Sequence, residues 1–84
     1  MADVVVYSGP HCPYCDRAKA LLKSKGVSFT EHNVKADQQK FEEMLGKSNG
    51  RRTIPQIFIN GQHVGGCDDL HALNSAGKLD AMLA

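Results

Sequence analysis

Asn60-Gly61, standing between Ile57-Phe58-Ile59 and His63-Val64, constrains this chain's fold more than any other feature. A two-residue type I′ turn needs positive φ at both positions, which Asn and Gly supply, so the flanking runs are predicted to form an antiparallel hairpin. The first half of the chain demands the opposite geometry. Val4-Val5-Val6-Tyr7 reads as a buried strand ending at Ser8-Gly9-Pro10, and Val27 to Val34 reads as a second strand. Between them, Ala18, Leu21 and Leu22 recur at helical spacing in a segment from Pro13 to Lys25 that Gly26 closes. Two strands joined by a helix are parallel and right-handed. Asp37 is predicted to cap a second helix carrying Phe41, Met44 and Leu45, which closes near Asn49-Gly50. Asp68 is predicted to open a last helical stretch through Leu70 and Leu73, broken by Gly77 before Leu79, Met82 and Leu83. An α/β fold with a four-stranded mixed sheet flanked by helices, in the order βαβαββα, satisfies both demands.

With 84 residues the chain is expected to form one domain over 1–84, since two cores would each be too small to hold. Lys+Arg is 10 against Asp+Glu 9, a net charge of +1, which argues against nucleic acid or an anionic membrane as partner. The apolar run Val4 to Tyr7 is far too short to span a bilayer. Met1-Ala2-Asp3-Val4 has no basic start and no cleavage pattern, so no secretory signal is expected. Three cysteines, two of them three positions apart, are not the even, well-spread set of a stapled secreted domain. The expectation is a cytoplasmic monomer whose thiols do chemistry.

Cys12-Pro13-Tyr14-Cys15 falls where the first strand hands over to the first helix. Pro13 suits the first helical position, which puts Cys12 at the N-cap, facing unpaired N–H groups and the positive end of the helix dipole. Such settings favour thiolate over thiol. Cys15 lies one turn on, behind Cys12 and within disulfide reach, so Cys12 is expected to attack and Cys15 to resolve. A zinc site would need Cys67 and His71 as a second pair, and a Pro-Tyr insert at a helix start favours redox use; no metal is expected. Thr53-Ile54-Pro55 precedes the third strand, where Pro55 is either an ordinary trans strand-initiating residue or the second half of a cis peptide that exposes the Ile54 backbone as a short edge. Gly65-Gly66-Cys67-Asp68-Asp69 leads into the next helix. Its glycines permit close approach and its first N–H groups suit a carboxylate. Asp68 is the expected N-cap, leaving Asp69 spare to meet an ammonium, and Cys67 is expected to be a small buried residue.

Together these three segments, in order and at their separations, resemble the dithiol glutaredoxins, and the resemblance spans essentially the whole chain. It implies a thioredoxin-type fold, a cis Pro55 facing the Cys12 sulfur, no tightly bound cofactor, and glutathione as reducing co-substrate. Tyr14 would flank the sulfur and Thr53-Ile54 would pair with the cysteinyl part of glutathione. The Gly66-Cys67-Asp68 turn would hold the γ-glutamyl carboxylate, Asp69 its ammonium, and Arg52 would stand near the glycine carboxylate. Gly9 stands where many members carry Lys, and Asp68 where many carry Ser or Thr. The implied activity is reduction of protein disulfides and glutathione mixed disulfides through Cys12 and Cys15, with transient protein partners. A thioredoxin-like protein served by a flavoprotein reductase would not need the Gly66–Asp69 turn. An iron–sulfur or zinc carrier using Cys12 is the reading from another class.

Overall fold

The computed structural model describes residues 2–84; Met1, the first residue of the N-terminal segment discussed above, lies outside the described residues. A four-stranded sheet in the order β2-β1-β3-β4 is built from β1 (Val4–Ser8), β2 (Thr30–Asn33), β3 (Gln56–Ile59) and β4 (Gln62–Gly65). β1 runs parallel to β2, with Val6 opposite Glu31, and antiparallel to β3, with Val6 opposite Ile57. β3 turns into β4 through Asn60 and Gly61, both at positive φ as the hairpin reading requires. The mixed sheet expected from the element order is the one observed, and it is of thioredoxin type.

Alternation along the strands sends the apolar side chains to two separate layers. On one face Val4, Val6, Ile57 and Ile59 meet Ala18 and Leu22 of α1 (Pro13–Ser24), Leu70 of α3 (Cys67–Ser75), and Leu79 and Leu83 of α4 (Leu79–Leu83). On the other, Tyr7 and Phe58 meet Val34 and Met44, the latter on α2 (Gln38–Lys47). Asp37 caps α2 as expected, its Oδ1 accepting from the Lys40 N–H at 3.2 Å. The second strand is shorter than the predicted Val27 to Val34. Val27 and Phe29 pack against the core from outside the ladder, because pairing with β1 begins only at Thr30.

Two polar pins sit at the sheet's polar end. The buried Tyr7 hydroxyl donates to Glu43 at 2.5 Å; burial, reinforced by that carboxylate, pushes the phenol well above its ordinary range. The buried Ser8 hydroxyl donates to Glu31 at 2.5 Å, and Lys19 reaches the same carboxylate at 2.9 Å. The Ser8 hydroxyl first, and Lys19 second, hold the Glu31 carboxyl below the usual range. A carboxyl depressed in the folded state adds stability above its unfolded pKa, near about pH 4, and loses it as the pH falls further. Ser8→Ala should therefore lower the Tm at pH 7, and thermal melts should show the gap to the parent narrowing toward pH 3. A constant gap would mean that the loss is packing rather than charge.

Candidate redox site

β1 delivers the chain to the site through Ser8, after which His11 takes a positive φ of 55° and aims Cys12 at the head of α1. Cys12 is the N-cap, with extended backbone, and Pro13 occupies the first turn as expected. Cys12 Sγ accepts from the Cys15 N–H at 3.1 Å, so the helix end offers the sulfur a donor as well as its dipole. The two cysteines are joined as a disulfide, with Cα atoms 5.2 Å apart. Cys15 is 0% exposed while Cys12 is half-buried, so one sulfur alone is open to a partner.

The facing wall is Thr53-Ile54-Pro55. The Ile54–Pro55 peptide is cis, the second of the two readings the sequence left open, and Ile54 O lies 3.9 Å from Cys12 Sγ. Gly9 has its own reason to be glycine. A Cβ there would come within 2.7 Å of the Lys35 Cγ and 3.0 Å of the Ile54 Cδ1, so the Lys35 stem already fills the place a longer side chain would need.

The third wall corrects one expectation. Asp68 is not the N-cap: α3 begins at Cys67 with Gly66 as its cap, and the Leu70 N–H bonds to Gly66 O at 3.0 Å. Asp69 is correspondingly not spare, because its Oδ2 reaches back to accept the Gly66 N–H at 2.9 Å. An acidic residue three places into a helix does this as half of a capping box, and a glycine cap can supply no side chain for the other half. Gly65, at φ 122°, has no room for a Cβ, which would strike that same carboxylate; a Cβ on Gly66 would stand 3.4 Å from Pro55 O. The two glycines thus let the turn close against Asp69 and Pro55.

These walls enclose a groove of about 350 Å³. Tyr14, Thr53, Ile54 and Pro55 line one side, and Gly66, Cys67, Asp68 and Asp69 the other. Tyr14 is 55% exposed, with the Arg17 guanidinium 5.9 Å from its ring centroid. Cys67 is buried as expected, and burial pushes its thiol up, outweighing Arg17. Arg52 is the one expected groove residue that the structure takes elsewhere, its guanidinium 5.6 Å from the Phe41 ring centroid. Arg51 lines the groove instead and donates to Asp69 Oδ2 at 3.4 Å. In the turn after α2 that leads to these arginines, the buried Ser48 hydroxyl donates to Arg51 O at 3.1 Å. Nothing local in the sequence tells the two adjacent arginines apart. Among the described residues, no three His, Cys, Asp or Glu side chains gather as a metal site, and no helix is long and apolar enough to cross a membrane.

This chain is similar to known proteins in sequence and in fold. A family model described as glutaredoxin matches residues 4–64. Glutaredoxin 3 of Escherichia coli strain K12 is 58% identical over 83 residues, covering 99% of each chain. The solution structure of a Brucella melitensis glutaredoxin is 55% identical with a TM-score of 0.85, covering 99% of this chain and 89% of that one. A buckwheat glutaredoxin–glutathione complex is 34% identical with a TM-score of 0.86, over 98% of this chain and 76% of its own.

Proposed function

The chain belongs to the glutaredoxin family, a glutathione-dependent thiol–disulfide oxidoreductase working through Cys12 and Cys15, and on that premise we propose how its residues divide the work. Glutathione is the reducing co-substrate, and the family needs no tightly bound cofactor. Cys12 is the nucleophile. Its open sulfur at a helix N-cap, with the only other redox thiol fully buried behind it, carries this reading. On a glutathione mixed disulfide the Cys12 thiolate attacks the glutathione sulfur, the protein thiolate leaves and takes up a proton, and a second glutathione thiolate displaces glutathione disulfide and restores Cys12. On a protein disulfide Cys12 forms a mixed disulfide with one sulfur and releases the other. The Cys15 thiolate then attacks the Cys12 sulfur and frees the remaining substrate thiolate, leaving the Cys12–Cys15 disulfide that two glutathiones reduce.

Tyr14, Thr53, Ile54 and Pro55 frame the cysteinyl part of glutathione, and the Gly66-Cys67-Asp68 turn receives the γ-glutamyl carboxylate on its N–H groups. Asp69 takes the ammonium, and Arg51, rather than Arg52, is the groove's cation for the glycine carboxylate. Disulfide-containing and glutathionylated proteins are the transient partners of a cytoplasmic monomer. Turnover of a glutathione mixed disulfide should proceed with glutathione as electron donor and fail with a thioredoxin reductase; the reverse pattern would refute the assignment.

Asp69→Asn isolates the ammonium contact. Asparagine keeps an oxygen for the Gly66 N–H, so the turn survives while the charge is lost. A charge-assisted hydrogen bond at a half-exposed site is worth roughly a tenfold change in affinity. Steady-state kinetics should show the glutathione KM rising by about that factor with kcat little changed. An unchanged KM removes Asp69 from the contact.

A further inference from the structure

Gln56 is a polar side chain in an apolar place. It opens β3 with 0% exposure, pairs with Tyr7 across the sheet and shares a face with Phe58. Every polar atom of its amide is used. Nε2 donates to Thr53 O at 3.0 Å and approaches Thr53 Oγ1 at 3.2 Å, while Oε1 lies 2.7 Å from His63 Nε2. Only the amide nitrogen can serve a carbonyl, so the amide has one orientation, and His63 must hold its proton on Nε2 and donate. The imidazole is itself stacked on Phe58 with centroids 4.9 Å apart. Burial, with Arg51 adding to it, pushes the imidazole toward its neutral form. A chain of three residues thus runs from β4, through the sheet's buried face, to the backbone of Thr53, one peptide from the Ile54 carbonyl that lies against the Cys12 sulfur.

We propose that Gln56, oriented by His63, is a positioning residue that holds the Thr53-Ile54 ledge at the spacing from Cys12 that glutathione requires. This rests on the reading of that ledge as part of the glutathione site. Gln56 touches neither sulfur nor groove, so its effect falls on binding and not on the reactivity of Cys12. Loosening the ledge weakens every hydrogen bond made to it in the complex, and losing the equivalent of one such bond changes affinity about three- to tenfold.

Gln56→Leu and His63→Leu should each raise the glutathione KM by about that factor, with kcat and the Cys12 pKa from thiolate absorbance unchanged. His63→Gln, whose amide nitrogen can stand where the imidazole Nε2 stood, should return the KM to near the parent value. In the parent protein, the Gln56 side-chain amide protons should shift on titration with S-methylglutathione, which cannot react; this measurement needs no variant to fold. Folded Leu variants with an unchanged KM would overturn the proposal, as would His63→Gln behaving like His63→Leu, or Gln56 amide protons indifferent to the ligand. If instead the parent binds no S-methylglutathione, the glutathione reading itself fails.

Discussion

Cys12→Ser should reduce turnover to the uncatalysed background on both a glutathionylated protein and a protein disulfide, whereas Cys15→Ser should separate the two. The difference lies in which sulfur must leave. A glutathione mixed disulfide brings its own small thiol, and with its glutathione half docked as proposed above Cys12 meets that sulfur, so free glutathione can finish the cycle without Cys15. A protein disulfide leaves the enzyme tethered to its substrate. Cys15, one helical turn behind Cys12 with Cα atoms 5.2 Å apart, releases that tether at a high effective concentration that glutathione in solution cannot match. Cys15→Ser should therefore keep most of its activity on the glutathionylated substrate. It can even gain some, because no internal disulfide diverts the intermediate. On a disulfide substrate it should accumulate a covalent complex on a non-reducing gel. Equal loss of both activities in Cys15→Ser, or activity surviving in Cys12→Ser, would overturn the division of labour.

Leu22→Ala should be the most destabilising simple truncation in the wall that carries the two cysteines. Leu22 is 0% exposed on α1, in the layer with Val4, Val6, Ile57 and Leu70. Removing its outer carbons forfeits their transfer from water and leaves a cavity, a cost of about 2–5 kcal/mol. Small domains of this length lose roughly 4–8 °C of Tm per kcal/mol, so thermal unfolding should show a drop on the order of 10–30 °C. A loss within about 1 kcal/mol would mean that α1 does not rest on the sheet as described.

What could be read from the residues in advance follows the range of the forces involved. Asn60-Gly61, Cys12-Pro13 and Asp37 were legible because each acts on backbone within three residues of itself. Asp68 misled for the same reason: an acidic residue before an apolar run signals a cap, while a glycine cap such as Gly66 carries no side chain to announce it. The second strand was read too long because Val27 and Phe29 are apolar for the sake of the core, and ladder pairing depends on how far a distant strand extends. Arg51 and Arg52 are chemically alike, and only the path of the folded turn after α2 separates the one at the groove from the one over Phe41. Gln56 and His63 gave no signal at all, since only the hairpin's register brings them together. Pro55 was open to two backbone readings, and the cis form followed from the family resemblance rather than from the proline alone.

The complete burial of Cys15 behind Cys12 has a consequence for traffic through the enzyme. Reductant and oxidant cannot occupy separate doors, because every outside sulfur must use the same one. Electrons therefore pass in alternate strokes, the enzyme first taking them from one partner and then surrendering them to the next, with no moment at which both are engaged in exchange. Selectivity among protein substrates is then a matter of who queues best for a single atom, and an abundant thiol sets the pace for all the others.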